Sequence, residues 1–263
     1  MNIDRIKLLI DKYIVDYVYN AARIEGVNTK YLDTKLFVED GIEPNMDSDK
    51  ILILKNLKDA YKSLKDESFL SQPIDIFTLK RVNSIINGRG LVKEAGKIRI
   101  DEVYLTNCKY IPPIPDEYEI NNSIIDIVNQ NKNILDKGIE LYLYVMRAQP
   151  FIDGNKRTAN VFANLYLVQN DASIISIHAD KKKMFLSLLS KFYETNDISK
   201  IKEFILNNGI YKIPNWYFKG NCFAINVVDI DKKCHLLCSI CNFILLIDFI
   251  FLKIIRLKYY KVI

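Results

Sequence analysis

Apolar residues near the N-terminus recur every three or four positions, which is the spacing of one face of an amphipathic helix. The residues of this stripe are Ile3, Ile6, Leu9, Ile10, Tyr13, Ile14, Tyr17 and Val18. The same period returns between Val161 and Val168 and again between Phe185 and Ile205. Only nine glycines and seven prolines occur in 263 residues, which suits long helices. The pattern therefore predicts a mainly α-helical fold.

One segment in the middle of the chain departs from the helical period. Aromatic and β-branched residues alternate in Val103-Tyr104-Leu105 and in Tyr110-Ile111, and Pro112-Pro113 follows. Alternation ended by prolines is typical of a short β-hairpin rather than of a helix. On this pattern alone, a plain surface hairpin is the simpler interpretation.

A short loop before the helical stripe at Val161 carries the candidate chemistry. Gly154-Asn155 forms a turn that enters a helix, whose first backbone N–H groups lack intrahelical partners and suit an anion such as a phosphate. Lys156 and Arg157 add positive charge, and Asp153 is placed to hold a magnesium ion shared with phosphates. The alternative is a solvated turn with an ordinary ion pair.

This loop resembles the signature of the Fic/Doc (Fido) family. The matching residues are Phe151, Asp153, Gly154, Asn155, Lys156 and Arg157. The resemblance implies a Fic-type helical bundle with a short β-hairpin flap. It also implies an enzyme that uses ATP, or another nucleotide, and Mg²⁺ to transfer AMP or a phosphate to a hydroxyl of a target protein.

The resemblance also implies a role for each matching residue. Asp153 would hold Mg²⁺, the Gly154-Asn155 backbone would form the anion hole, and Arg157 would contact the nucleotide phosphates. Lys156 stands where most members have Gly and is similar to the Doc variant.

The resemblance extends over about residues 10 to 210. It includes the helix from Leu52 to Leu64, the run from Ile74 to Arg99 and the 103–113 segment, which is similar to the family's flap. Through Tyr104, Leu105 and Tyr110, this flap would present a strand edge to the target protein.

Gln149 stands at the position of the family's catalytic histidine. A glutamine amide is neutral and very weakly basic, so it cannot take a proton from an attacking hydroxyl. Loss of a general base typically lowers a rate by about 10²–10⁴-fold. Two hypotheses follow: a transferase with weak or altered activity, and an inactive pseudoenzyme that binds a nucleotide or a protein and signals by occupancy.

The sequence around Glu25 is similar to the family's inhibitory element, in which a glutamate takes the place of the nucleotide's terminal phosphate. Ala21 stands where that element has Ser or Thr, and Asn160 stands where many members have the arginine that pairs with the glutamate. Pairing with Arg157 is an alternative. A simpler interpretation is an amphipathic helix that ends at Gly26 as a left-handed cap.

Three segments are predicted: an N-terminal helical segment at residues 1–50, a Fic-like core at 51–210 and a C-terminal tail at 211–263. From Lys219 to Ile263 there are seven Lys/Arg and three Asp, which accounts for four of the chain's five net positive charges. The core is thus nearly neutral, and neither its charge nor a recognition helix indicates binding to nucleic acid. The resemblance leaves homo-oligomerisation open.

The tail has an uncharged stretch from Cys234 to Ile247, interrupted soon after by Asp248. This is short for a membrane span, and the acid is unfavourable in a bilayer. Three interpretations stay open: a membrane-associated helix at residues 234–257, a helix docked on the core or on a partner, and a frameshifted sequence. Cys234, His235, Cys238 and Cys241 are zinc-ligand candidates, although buried cysteines in apolar surroundings are the commoner outcome. Without a signal-peptide pattern at the N-terminus, cytoplasmic location is expected.

Overall fold

The computed structural model describes residues 3–106, 108–170 and 173–212. The predicted mainly α-helical fold is confirmed over these ranges. The helices are α1 (Ile3–Ile24), α2 (Tyr31–Asp40), α3 (Ser48–Ser63), α4 (Glu67–Leu70), α5 (Ile76–Ile86), α6 (Glu117–Asn129), α7 (Ile134–Ala148), α8 (Asn155–Asn170), α9 (Lys182–Thr195) and α10 (Ser199–Asn208). The strands are β1 (Ser173–Ile175) and β2 (Ile210–Lys212), and a 3₁₀ turn at Ala179–Lys181 precedes α9.

Helix α8 is the centre of the bundle. It is buried on almost every side and packs against α3, α5, α7 and β1. A helix that is covered all round must bury its polar residues as well as its apolar ones. Asn160 and Asn164 both donate to the carbonyl of Ile175 at 3.0 Å, and Ile175 N–H donates to Asn164 Oδ1 at 2.6 Å. These bonds fasten the end of β1 to α8.

Helices α7 and α8 approach each other closely because Gly138 has no side chain. A Cβ at this position would lie 2.4 Å from Leu167 Cδ2. The Asn133 side chain caps the start of α7 by accepting from Asp136 N–H at 2.8 Å. Helix α7 ends at Ala148, and the loop that joins α7 to α8 begins there.

Helix α1 packs its apolar stripe on α2 and α3. The helix ends with Gly26 as a left-handed cap, which was one of the two alternatives that the sequence left open. Gly26 has a φ of +92° and donates its N–H to Arg23 O at 3.2 Å. Tyr17 of α1 stacks on Tyr61 of α3 with ring centroids 3.8 Å apart. Both hydroxyls are buried without a hydrogen-bond partner.

The small antiparallel sheet does not lie where the sequence predicted a hairpin. Strands β1 and β2 pair with Ser173 opposite Lys212 and Ile175 opposite Ile210. Among the described residues of the 103–113 segment, none is in a strand. Arg99 binds this segment instead, because its guanidinium donates to the carbonyls of Pro112 and Pro113 at 3.4 and 2.6 Å. An irregular loop organised around a buried cation therefore replaces the predicted β-ladder.

The described residues, from Ile3 to Lys212, form one compact unit. Predictions about the tail, including the cysteine cluster and the 234–257 segment, lie outside the described residues. Tyr211 and Lys212, assigned to the tail by the sequence prediction, are part of β2. Within the described ranges, none of the helices has the length and apolar character needed to cross a membrane.

The two buried tyrosine hydroxyls next to α1 lead to a stability prediction. Tyr61→Phe removes a buried hydroxyl that has no partner, so the free energy of unfolding should stay the same or rise by up to about 1 kcal/mol. Tyr142→Phe is the matched control, because the Tyr142 hydroxyl hydrogen-bonds Asn160; its loss should cost about 1 kcal/mol. Urea denaturation of both variants checks the pair. An equal loss in both would contradict the prediction.

Candidate functional site

The loop from Gln149 to Gly154 joins α7 to α8 and holds the predicted site residues. It starts at Gln149, which adopts a left-handed conformation (φ 47°, ψ 56°) and donates its backbone N–H to Val145 O at 3.2 Å. Residues other than glycine rarely adopt this conformation, and they often do so where a functional loop requires it. The carbonyl of Gln149 accepts from Arg99 Nε at 2.7 Å, which fixes the direction in which the chain leaves α7.

Asn155 closes the loop on itself. Its Oδ1 accepts from Phe151 N–H at 3.0 Å, and its Nδ2 donates to Phe151 O at 2.7 Å. Phe151 is 1% exposed, so its ring anchors the loop in the core. Both ends of the Asn155 side-chain amide are therefore hydrogen-bonded within the loop, so only the backbone of Asn155 could bind a ligand.

The Gln149 side chain is likewise occupied by neighbouring residues. Its Nε2 donates to Met146 O at 2.5 Å, and its Oε1 accepts from Asn155 Nδ2 at 2.9 Å. The amide also hydrogen-bonds the phenol of Tyr193. With both ends of the amide bonded to protein, Gln149 acts as a brace between α7 and the loop.

Two asparagines that sequence analysis did not single out hold the next part of the loop. Asn83 and Asn87 donate their Nδ2 atoms to Asp153 O at 3.2 and 2.8 Å. Gly154 follows with a φ of +74°, and a Cβ there would lie 2.7 Å from the Asn87 amide. The two asparagines are four residues apart, and one face of a helix can present such a pair. Two asparagines four residues apart at the end of an apolar helix were the feature of the sequence that could have indicated this role.

Arg157 lies in the first turn of α8 and is 5% exposed. Its Nη2 donates to Asp153 Oδ2 at 3.2 Å, whereas Nε and Nη1 are buried without a hydrogen-bond partner. A buried guanidinium with two unused donors is costly, because each donor has lost its water. The arrangement fits an anion, whose oxygens would accept from those donors.

Glu25 lies next to this cation. Its carboxylate is 3.7 Å from Arg157 Nε and 3.5 Å from Lys156 Nζ, and its side chain is 14% exposed. Both separations allow charge attraction but exceed ordinary hydrogen-bond length. Glu25, Asp153, Lys156 and Arg157 together carry no net charge.

Asn160, which the sequence resemblance aligned with an arginine, takes no part in this ion cluster. Its amide donates to Ile175 O and hydrogen-bonds the Tyr142 phenol. Burial, and next the charge of Glu25, raise the pKa of Tyr142. Arg157 is thus the guanidinium that the described part of the chain supplies to the cluster.

A cleft of about 780 Å³ opens in front of the loop. The predicted flap residues Tyr104 and Leu105 line it, together with Gln149, Asp153 and Glu25. Tyr110 does not line this cleft. It lines a separate cavity of about 480 Å³, where Arg147 lies over its ring at 4.1 Å from the centroid.

The two tyrosines that line the cleft, Tyr104 and Tyr193, do not supply a base at neutral pH. Burial raises the pKa of Tyr193 far above its ordinary value, so this phenol keeps its proton at neutral pH. A hydrogen bond to Glu102 and the charge of that residue raise the pKa of Tyr104. His178 caps the 3₁₀ turn beside Asp180, is largely exposed and is not a cleft residue.

Asp153 is the predicted magnesium ligand. Its side chain is 56% exposed, with Oδ2 on Arg157. The described residues contain no group of three His, Cys, Asp or Glu side chains that could hold a metal ion by themselves. One carboxylate is nevertheless what Mg²⁺ commonly takes from a protein when phosphates supply other ligands. The donor set thus fits a metal that arrives with a nucleotide.

Comparisons with known proteins agree with this fold. Residues 73–167 match the model of the Fic/DOC family. A Fic-domain-containing signalling protein from Bacteroides thetaiotaomicron is 18% identical, with a TM-score of 0.63 over 79% of this chain and 85% of that one. A Fic family protein from Desulfovibrio desulfuricans is 17% identical, with a TM-score of 0.60 over 78% and 69%.

Fic-1 from C. elegans is 18% identical with a TM-score of 0.63, and the match covers 78% of this chain but only 62% of that one. None of the curated proteins matches the chain. At these identities, the structural likeness shows a common fold and nothing more.

Gly154→Ala tests whether the loop needs glycine for its surroundings as well as for its backbone. Alanine is strained at positive φ by about 1–2 kcal/mol, and here its Cβ would also meet Asn87. Gly90→Ala is the matched control, since Gly90 has a φ of +81° and open space around it. Gly154→Ala should lower the free energy of unfolding by at least about 1 kcal/mol more than the control. Equal losses in chemical denaturation would show that the Asn87 contact is unimportant.

Proposed function

We propose that residues 73–167, which match the Fic/DOC family model, form a domain that binds a nucleotide such as ATP through its phosphates at the start of α8. Transfer of AMP or a phosphate to a protein hydroxyl is then weak or altered, since Gln149 stands at the position of the base. The observation that carries the proposal is the buried Arg157 guanidinium with two unused donors.

The charges around Arg157 support an anionic ligand. Phosphate oxygens would satisfy Nε and Nη1 with charge-assisted hydrogen bonds, which are stronger than neutral ones. The first N–H groups of α8 and the positive end of its dipole favour the same charge. Lys156 adds a partly exposed ammonium at the rim of the cleft.

Magnesium fits this proposal through Asp153. When bound with a nucleotide, Mg²⁺ would neutralise phosphate charge and stabilise the transferred group. Asp153 would hold the metal with its exposed carboxylate. Asn83 and Asn87 would keep that residue in place by binding its backbone carbonyl.

Glu25 opposes the ligand in this proposal. Its carboxylate occupies the surroundings of Arg157 and Lys156 that an anion would need. A bound phosphate must therefore displace Glu25 or share both cations with it, so Glu25 lowers the affinity for nucleotide. This is the autoinhibitory role expected from the resemblance.

The alternative proposal, an inactive Fic pseudoenzyme, is favoured by the bonding of Gln149. A glutamine that activated a water or a target hydroxyl would need a free carbonyl oxygen. Here Oε1 already accepts from Asn155, and Nε2 from the same amide donates to Met146 O. The loop is thus braced for binding, and the Gln149 amide does not supply a base.

The proposed partner is a protein that presents a hydroxyl side chain. Tyr104 and Leu105 lie at the cleft, and Tyr104 is 72% exposed. Backbone groups of this irregular segment are candidates for pairing with an extended target segment. A cytoplasmic location belongs to the same proposal, because cytoplasm supplies both ATP and target proteins.

Calorimetric titration of the full chain with ATP and Mg²⁺ tests the phosphate site. Arg157→Ala should weaken binding at least about tenfold, because charge-assisted hydrogen bonds contribute about 1.5–3 kcal/mol. Arg89→Ala is the matched control: it removes the same charge from an exposed ion pair with Asp59 and should leave binding unchanged. Equal affinity in the parent and in Arg157→Ala would rule out the proposed site.

The Gln149→His variant distinguishes a weak transferase from an inactive pseudoenzyme. If the missing base is what limits the reaction, the variant should gain about 10²–10⁴-fold in transfer of the labelled nucleotide to protein. Gln149→Leu is the control, since it also breaks the brace but supplies no base. No detectable transfer by the parent together with a gain only in the histidine variant supports the pseudoenzyme. Transfer by the parent that Gln149→Leu leaves unchanged would show that another group acts as base.

A further inference from the structure

The end of α1 is fastened to a segment more than 150 residues away in the chain. Lys182 Nζ donates to Arg23 O at 2.6 Å. Asn20 Nδ2 donates to Ser176 Oγ at 3.3 Å, and Asn20 Oδ1 accepts from Ala179 N–H at 2.9 Å. We call these contacts of Asn20 and Lys182 the α1 latch. They tie the last turn of α1 to the connection between β1 and α9.

Each contact of the α1 latch is made by a group that suits it. The Arg23 carbonyl accepts from Gly26 N–H at 3.2 Å and lies at the negative end of the helix dipole, so an ammonium is a favourable second donor to it. Asn20 is 2% exposed, and its amide uses both donor and acceptor on the same connection. A buried amide that lost these partners would be left unsatisfied.

Glu25 lies two residues beyond the carbonyl that Lys182 binds. Its backbone N–H donates to Ala21 O at 3.1 Å, so Glu25 belongs to the same final turn. Its carboxylate is 3.5 Å from Lys156 and 3.7 Å from Arg157, too far for strong hydrogen bonds of its own. The backbone of α1, more than the carboxylate's own bonds, therefore holds Glu25 at the cations.

The helix that carries Lys182 also faces the cleft. Lys182 is the first residue of α9, and Leu186, Ser187 and Ser190 of that helix line the cleft in front of Gln149. A single element thus contacts the end of α1 and bounds the space in which a target would lie. Displacement of α9 would change both together.

We propose that the α1 latch sets how strongly Glu25 competes with an anionic ligand, so that Asn20 and Lys182 are positioning residues that act through Glu25. Loss of the Lys182 contact frees the final turn of α1 and raises the affinity of the α8 site for nucleotide. The inference rests on the proposed function, since it concerns regulation of the same site. A partner that engages the start of α9 would release Glu25 by the same route.

The test uses Lys182→Met in the full chain, because methionine keeps the apolar stem and removes the donor. Lys181→Met and Lys183→Met are matched controls, since both neighbours are exposed and lose the same charge. In calorimetric titration with ATP and Mg²⁺, Lys182→Met should bind about three- to tenfold more tightly than the parent, as expected for a charged contact at a helix end. The two controls should bind no more tightly than the parent.

Coupling to Glu25 is tested in a double-mutant cycle. Glu25→Gln should by itself bind more tightly than Lys182→Met. Adding Lys182→Met to Glu25→Gln should then change affinity by less than about twofold, because the latch has no carboxylate left to position. An undiminished effect of Lys182→Met in that background would overturn the proposal.

Hydrogen exchange provides a readout that needs no ligand. Amides from Ala21 to Gly26 should exchange faster in Lys182→Met than in Lys181→Met, whereas amides of α8 should not change. Equal exchange in both variants would overturn the α1 latch.

If Glu25→Gln binds more tightly than the parent and Lys182→Met does not, the latch is wrong and the proposed function stands. If parent and Glu25→Gln both fail to bind while exchange shows the release, the phosphate site is wrong and the latch stands as a structural contact.

Discussion

Arg157 places a full positive charge in the interior, and the surrounding residues are arranged in response to it. The charge lies there because α8 is buried from its first turn, so a cation in that turn is buried with it. Such a charge persists only beside anions. Asp153 in the loop and Glu25 just beyond the end of α1 lie next to this charge, although they are far apart in the chain. Those two carboxylates still leave two guanidinium nitrogens without a hydrogen bond.

Several side-chain amides hold the loop before α8 in place. Asn155 bonds Phe151 and Gln149, and Asn83 and Asn87 bond the carbonyl of Asp153. Amides give donors and acceptors without charge, so they can shape a buried loop without opposing the ligand's charge. Gln149 belongs to this set. The resemblance aligns it with a catalytic base, whereas its bonds are those of a structural brace.

The proposed regulation and the proposed ligand binding use the same structural elements. Helix α1 brings Glu25 to the cations, and the contacts of Asn20 and Lys182 join the end of α1 to the connection that leads into α9. Helix α9 bounds the cleft. Under the proposal, these contacts would couple the nucleotide site to the start of α9 through the end of α1.

The sequence by itself determined the helical class, the position of α8 and the loop residues at its start, because helical periodicity and a turn into a helix are local properties. It also identified Glu25 and the Gln149 substitution. Only the tertiary structure decided that the 103–113 segment is an irregular loop around Arg99 rather than a hairpin, because carbonyls bonded to a buried guanidinium do not form a strand ladder. The sequence also could not predict the hydrogen-bond partners of Asn83, Asn87 and Lys182. Each contact joins residues distant in the chain, and the packing of α5 on α8 and of α1 on the 3₁₀ turn before α9 is what brings them together.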